Sequence, residues 1–153
     1  NVGALMLRDE LMDQNGDMVD LYDFAGQGKY IVLVITAMWS GPDQMLADAI
    51  AFNNNSSFGT APQKVADGDI YWINIMDVDI SGNQASLTDL QDWYANYPNP
   101  LVPVLADNIS ADFAGLYFDT GWPTILVFDE NMQFVTGPTS TDFWAALTFV
   151  DTL

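Results

Sequence analysis

The sequence predicts one α/β domain, in which helices cover both faces of a mixed central sheet and an N-terminal β-hairpin comes first. Two largely apolar runs, Tyr30–Thr36 and Asp69–Met76, are typical of central strands that are buried on both faces. Each is followed by a segment with helical spacing, and a second hairpin and a last helix complete the order. We expect a single domain over residues 1–153, with the hairpin at 4–20 and the core at 29–153.

The first hairpin is predicted from a turn signal. Gln14-Asn15-Gly16-Asp17 contains the Asn-Gly pair that favours tight hairpin turns, between the apolar pairs Leu11-Met12 and Met18-Val19. Asp20 can then cap a short helical turn, and the Gly26-Gln27-Gly28 segment ends it.

Three longer segments, Gln44–Asn53, Leu87–Tyr97 and Asp142–Val150, are predicted to be helices. The second has a Ser-x-x-Asp start signal at Ser86 and Asp89, since each side chain can satisfy free amides of the first turn. The expected inward-facing residues are Met45, Leu46, Ala49, Ile50 and Phe52 in the first helix, Leu87, Leu90, Trp93, Tyr94 and Tyr97 in the second, and Phe143, Trp144, Leu147 and Val150 in the last.

The other predicted elements are short. In chain order they are a polar loop (Asn53–Ala61), a strand (Val104–Ala106), a helix (Ser110–Phe118) and a β-hairpin with strands Ile125–Phe128 and Gln133–Thr136. Prolines before Val104 prevent regular structure there.

The charge of the chain is strongly negative. Three basic residues, Arg8, Lys29 and Lys64, stand against 21 acidic ones, for a net charge of −18 at pH 7. Nucleic acids and anionic lipids both require clustered cations, so neither is an expected partner. A cationic partner or divalent cations would suit this surface, although a solvated anionic surface also explains it. No apolar run approaches the ~20 residues of a transmembrane helix.

Cysteine and histidine are both absent from the chain. Their absence excludes disulfides, thiol chemistry, imidazole zinc sites and histidine-based acid–base catalysis. Any function must therefore depend on other side chains.

The turn after the first central strand has the sequence Trp39-Ser40-Gly41-Pro42-Asp43. It is similar to the Trp-Cys-Gly-Pro-Cys loop of the thioredoxin-like redoxin family, and Gly121-Trp122-Pro123-Thr124 precedes a later strand as it does in that family. The chain resembles the exported bacterial thiol–disulfide oxidoreductase branch over about residues 11–150. The other matching segments are 13–16, 19–24, 87–93 and 103–107. The resemblance implies a thioredoxin-like sheet.

The resemblance places the two redox cysteines of the family at Ser40 and Asp43. In the family, the first is a thiolate stabilised by a helix N-terminus and the second resolves the mixed disulfide. Neither serine nor aspartate can replace them, so we expect a degenerate site with no catalytic residue and no thiol redox activity. The carboxylate of Asp43 is expected to suit the first helical turn. The cysteines were either lost naturally or replaced in this chain.

Pro123 matches the cis-proline of the family, which presents neighbouring backbone to an extended peptide. If the bond is cis here, Trp122 and Thr124 would lie near Trp39 and form a small peptide groove without a nucleophile. In the alternative interpretation, the two tryptophans are inherited packing residues with locally satisfied indole N–H groups.

A possible calcium site follows the second central strand. Asp77, Asp79 and Ser81 carry oxygen ligands at alternate positions before a glycine, as in the first half of a calcium loop. The twelfth position is Thr88 instead of glutamate, so a plain acidic turn is the alternative. Asp107 with Asp112 is a weaker version of the same idea. Calcium is the one cofactor we consider.

We therefore expect a non-catalytic, Cys-less, exported protein that acts as a binding module or as a structural subunit of an extracellular assembly. Its partner would be another protein or further copies of itself. Two alternatives stay open: a thiol–disulfide oxidoreductase whose cysteines at positions 40 and 43 were replaced, and a peptide or glycan receptor that uses the cis-proline groove. Export is inferred from the family branch, the non-Met start and the acidic, lysine-poor composition.

Overall fold

The computed structural model describes residues 1–108, 112–117, 121–136 and 143–153. Within these ranges the chain forms seven β-strands and five α-helices. The strands are β1 (Glu10–Asp13), β2 (Met18–Asp20), β3 (Ile31–Ala37), β4 (Tyr71–Val78), β5 (Val104–Ala106), β6 (Thr124–Phe128) and β7 (Phe134–Thr136). The helices are α1 (Gly41–Phe52), α2 (Ala61–Ala66), α3 (Leu87–Asn96), α4 (Phe113–Tyr117) and α5 (Trp144–Asp151).

All seven strands belong to one mixed sheet with the order β2-β1-β5-β4-β3-β6-β7. Strands β3, β4 and β5 run parallel, while β1 pairs antiparallel with β5 and β6 pairs antiparallel with β3. The carboxyl ends of the three parallel strands therefore meet at one edge of the sheet, which is where sites form in open α/β sheets. The predicted mixed sheet is confirmed.

Strand β3 shows why both faces need helices, because every one of its residues is buried. Ile31, Leu33 and Ile35 point into one core with Phe113 of α4, whereas the alternate residues of the strand enter the other core. That second core is built with residues from α1, α2 and α5. Helix α3 packs through Leu90 and Trp93 beside β5. This arrangement confirms helices on both faces.

The N-terminal hairpin is shorter than predicted. Its strands pair over Glu10–Asp20, with the expected turn between them, and Asp20 caps a 3-10 helix over Leu21–Phe24 as expected. Residues 3–6 instead run beside β7, where backbone bonds join Gly3 N to Phe134 O (2.7 Å) and Met6 N to Met132 O (2.8 Å). The apolar spacing alone could not show which strand this segment would follow.

Helix α2 was not predicted, since the sequence indicated only a polar loop ending at Ala61. The helix has six residues, too few for a clear apolar period, and the C-terminal helix stabilises its start: Asp151 accepts hydrogen bonds from Thr60 N (2.6 Å) and Thr60 Oγ1 (2.8 Å). The other predicted helices are present with shifted ends. The predicted residues 110, 111, 118 and 142 lie outside the described ranges.

Three residues expected to face inward do not. Met45 and Phe52 of α1 are 58% and 51% exposed, and Trp144 of α5 is 44% exposed with its ring stacked on Phe58 at 5.7 Å. Helical spacing identified the correct face but overestimated its width. Of the helices in the described ranges, none is long and apolar enough to span a membrane.

Candidate functional site

The loop between β3 and α1 is held by backbone contacts at its start. Met38 N donates to Val78 O of β4 (3.0 Å), and the Gln44 side chain donates from Nε2 to Met38 O (2.8 Å). Ser40 then occupies the N-cap position of α1, is buried, and makes no side-chain cap bond. Pro42 lies in the first turn, where its missing N–H costs nothing. The predicted strand–turn–helix unit is therefore present.

Asp43 lies in the first turn of α1 and is only 2% exposed. Among the described residues, neither of its carboxylate oxygens has a partner in hydrogen-bond geometry. Burial raises the pKa of Asp43 to about 7, and the nearby hydroxyls of Ser40 and Thr36 and the backbone N–H groups of Ala37 and Asp43 oppose that rise. We regard these hydroxyls as close neighbours and not as bonded partners, because Thr36 Oγ1 donates to Val34 O (3.4 Å). Contrary to the expectation that the carboxylate suits this turn, the cost of its burial exceeds what the neighbouring donors offset.

Two tryptophans form the exposed part of the site. The Trp39 and Trp122 rings meet edge to face, with centroids 5.1 Å apart, and Trp39 is 47% exposed. The Trp122–Pro123 peptide bond is cis, and Thr124 Oγ1 donates to Gly121 O (2.8 Å). The structure thus brings together the tryptophans that the sequence placed about 80 residues apart. We call Trp39, Trp122 and Pro123 the tryptophan surface.

Trp122 connects this surface to an acidic cavity. Its Nε1–H donates to Asp77 Oδ2 (3.0 Å), and Asp77 is one of the residues around a cavity of about 250 Å³. The cavity is lined by Asp77, Val78, Gln84, Asp107, Asn108 and Asp112. Burial raises the pKa of Asp77, Trp122 opposes that rise, and the charges of Asp107 and Asp112 add to it. The three carboxylates therefore influence one another.

Asp107 has a structural role within this cavity. It is 5% exposed, and its carboxylate accepts N–H bonds from Asn108 (2.9 Å), Phe113 (2.8 Å) and Ala114 (2.6 Å). Burial raises its pKa, and these backbone donors oppose the rise. Asp107 thus caps α4 and holds it against the end of β5.

Solved structures of similar shape can be compared with this geometry. The exposed lipoprotein thioredoxin Etrx1 of Streptococcus pneumoniae strain TIGR4 matches with a TM-score of 0.63 and 22% identity, over 95% of this chain and 98% of its own. The thioredoxin domain of a thiol-disulfide oxidoreductase from Bacteroides vulgatus matches at 0.65 and 14%, over 98% and 97%. A thioredoxin-like protein from Aeropyrum pernix matches at 0.66 and 13%, over 95% and 89%.

The chain has a thioredoxin-like fold. The resemblance inferred from the Trp39–Asp43 and Gly121–Thr124 segments is confirmed for the fold. No protein-family model matches the chain, and no curated protein sequence does. Since the chain has no cysteine, it cannot carry out the thiol–disulfide exchange after which its oxidoreductase neighbour is named.

The predicted calcium residues are used in different ways in this thioredoxin-like chain. Asp77 bonds to Trp122, whereas Asp79 Oδ1 accepts the N–H groups of Ser81 (2.8 Å) and Asn83 (2.9 Å) and closes a turn. Among the described residues, no three acidic side chains are grouped so that they could hold a metal ion. Calcium binding stays a prediction.

The sequence did not reveal that Asp77 shares a cavity with Asp107 and Asp112. The order of the strands in the sheet could have revealed it. Asp77 lies near the end of β4, and Asp107 directly follows β5, the parallel neighbour of β4. Asp43, by contrast, is buried and is not among the residues that line this cavity.

Proposed function

We propose that this chain is a non-catalytic, exported thioredoxin-like protein that binds a protein partner through its tryptophan surface, either as a free module or as a subunit of an extracellular assembly. One observation supports this most directly. The redox residues are absent, yet an aromatic side chain at the same loop, Trp39, is about half exposed beside Trp122 and the cis-proline. Large aromatic side chains at a surface are typical anchors of protein interfaces.

The contacts of the two tryptophans also bear on the alternative that they only pack the fold. Trp122 agrees with that alternative in one respect, because its indole N–H donates to Asp77 within the protein. Trp39 does not, because 47% of it stays accessible although buried positions for aromatic rings exist throughout the core. Exposure alone does not single out Trp39, since Trp144 is 44% exposed, but Trp39 is also in ring contact with Trp122, the residue before the cis-proline. This contrast favours a binding role for Trp39.

Export is supported by the pneumococcal neighbour, which is described as an exposed lipoprotein. The acidic, lysine-poor composition agrees with it. An assembly of such subunits has a further requirement, because chains of charge −18 repel one another. Cations, with calcium at Asp77, Asp79 and Ser81 as our candidate site, or a basic partner would have to offset this repulsion.

Sequencing the source gene tests the alternative that the chain is an oxidoreductase whose cysteines were replaced. If codons 40 and 43 encode cysteine in the source gene, that alternative replaces our proposal. If they encode serine and aspartate, it is eliminated.

Titration with extended peptides and with glycans, followed by tryptophan fluorescence, tests the proposal. We expect peptides to change the emission of the unmodified chain, and the Trp39→Ala and Trp122→Ala variants to lose this response. Trp144→Ala is the matched control, since Trp144 is similarly exposed (44%) but lies on α5. The proposal fails if Trp39→Ala responds as the control does, and a response to glycans alone favours the glycan receptor.

A further inference from the structure

The charges around the tryptophan surface identify what kind of segment it can bind. Two concave regions are relevant to it, one through a contact of Trp122 and the other through its place in the chain after Trp39. One is the cavity with Asp77, Asp107 and Asp112, which Trp122 borders through its bond to Asp77. The other, lined by Gly41, Gln44, Met45, Asp48, Asn55 and Tyr97, begins two residues after Trp39. All the charged side chains that line either region are acidic.

The basic residues of the chain do not compensate these carboxylates. Arg8 pairs with Asp20 (2.6 Å), Lys29 lies over the ring of Tyr71 (5.0 Å), and Lys64 donates to Thr60 Oγ1 (3.1 Å). These are all the lysines and arginines of the sequence. The arginine and the lysines therefore have other contacts, and the charges of Asp107 and Asp112 raise the pKa of Asp77 in addition to the effect of its burial.

We propose that the tryptophan surface binds an extended segment of a partner protein that carries an arginine, with its guanidinium against Trp122 and the carboxylates of Asp77 and Asp112. A guanidinium is planar, so it can stack on an indole ring while its N–H groups donate to carboxylates. The proposed contacts use three features of the structure: the exposed Trp39, the hydrogen bond from Trp122 to Asp77, and the cavity that Asp77 lines.

This inference rests on the proposed function and narrows its partner class. An anionic or neutral segment would leave the carboxylates uncompensated and bury them further, at a cost in free energy. Lysine offers the same charge but no plane to stack, so arginine is the better fit.

Two capped heptapeptides test the proposal, Ser-Val-Thr-Arg-Thr-Val-Ser and the same peptide with citrulline, the neutral analogue of arginine. Binding is followed by the NMR signals of the tryptophan indole N–H groups, with Trp122→Ala used to assign the signal of Trp122. We expect the arginine peptide to bind about tenfold more tightly than the citrulline peptide, and this ratio to shrink at high salt. The Trp122 indole signal should shift, since its N–H donates to Asp77.

Asp77→Asn and Asp112→Asn should each remove most of the difference between the peptides. Asparagine can still accept the Trp122 N–H at position 77, and it tolerates the positive φ of 42° at position 112. Asp92→Asn is the control, because it removes the same charge from an exposed position of α3. Thermal melts establish that the variants are folded.

The possible failures can be distinguished. If both peptides bind equally and lose binding in Trp39→Ala, the arginine inference is overturned and the proposed function stands. If Asp92→Asn weakens arginine binding as much as Asp77→Asn does, only net charge matters and the local site is refuted. If neither peptide shows binding that depends on Trp39, both the inference and its basis are contradicted.

Discussion

Asp43 and Asp107 are two buried aspartates at the starts of two helices, and their surroundings are opposite. Asp107 receives three backbone N–H bonds and holds α4 in place, whereas neither oxygen of Asp43 has a partner among the described residues. Burial raises both pKa values, to about 7 for Asp43. The backbone donors thus offset part of the cost of burying Asp107, whereas no donor reaches Asp43 in full hydrogen-bond geometry among the described residues. Position 43 thus has the backbone of a first helical turn in surroundings that do not suit a charged side chain.

The largest expected effect concerns the pH dependence of stability at Asp43. Its folded-state pKa of about 7 exceeds the ordinary value of 3.8, so between these values the folded chain binds more protons than the unfolded chain. The contribution of Asp43 to stability is therefore highest below pH ~4, falls as the pH rises to ~7 and changes no further above it, by roughly 4 kcal/mol in total. Asp43→Asn should remove this loss and be the more stable protein at pH 8.

Urea denaturation at pH 4, 6 and 8 measures this effect. Asp92→Asn serves as the control, since it changes the net charge equally from an exposed position. The difference between the Asp43→Asn and control curves should grow with pH. Parallel curves would show that Asp43 is not the titrating group.

The next largest expected effect concerns Asp107, the aspartate of the pair whose carboxylate accepts backbone hydrogen bonds. Asp107→Ala leaves two N–H groups at the start of α4, and the N–H of Asn108, without their acceptor and should lower the free energy of unfolding by about 3 kcal/mol. Asp107→Asn should cost less, because one oxygen remains. Chemical denaturation at pH 7 provides the measurement. A loss below ~0.5 kcal/mol for the alanine variant would mean that these bonds do not support α4.

The smallest expected effect concerns Asp151, an exposed aspartate that accepts hydrogen bonds at the start of a helix. Asp151→Ala removes the acceptor of Thr60 N and Thr60 Oγ1 at the start of α2, which should cost about 1 kcal/mol. Asp67→Ala, at the other end of the same helix, is the control, because a negative charge there opposes the helix dipole. Melting temperatures of the two variants should move in opposite directions. Equal losses would argue against capping by Asp151.

These carboxylates also show which features of the structure the sequence could predict and which it could not. Strand β3 and the start of α3 at Ser86 were predictable, because apolar periodicity and capping depend on neighbouring residues. The position of Asp43 was predictable too, but its energetic state was not, because burial depends on packing from distant segments. The same limit applies to Asp77 and Asp107, which only the pairing of β4 with β5 brings to one cavity.

The N-terminal segment that runs beside β7 has a consequence for assembly. An open strand edge offers unpaired N–H and C=O groups to which another chain can add a strand. Residues 3–6 pair with residues 132–134 and so cover the start of the edge at β7, and the opposite edge, β2, is only three residues long. The sheet therefore gives little opportunity for growth by strand addition. Copies of this chain that associate are therefore expected to do so mainly through side chains of their loops and helices.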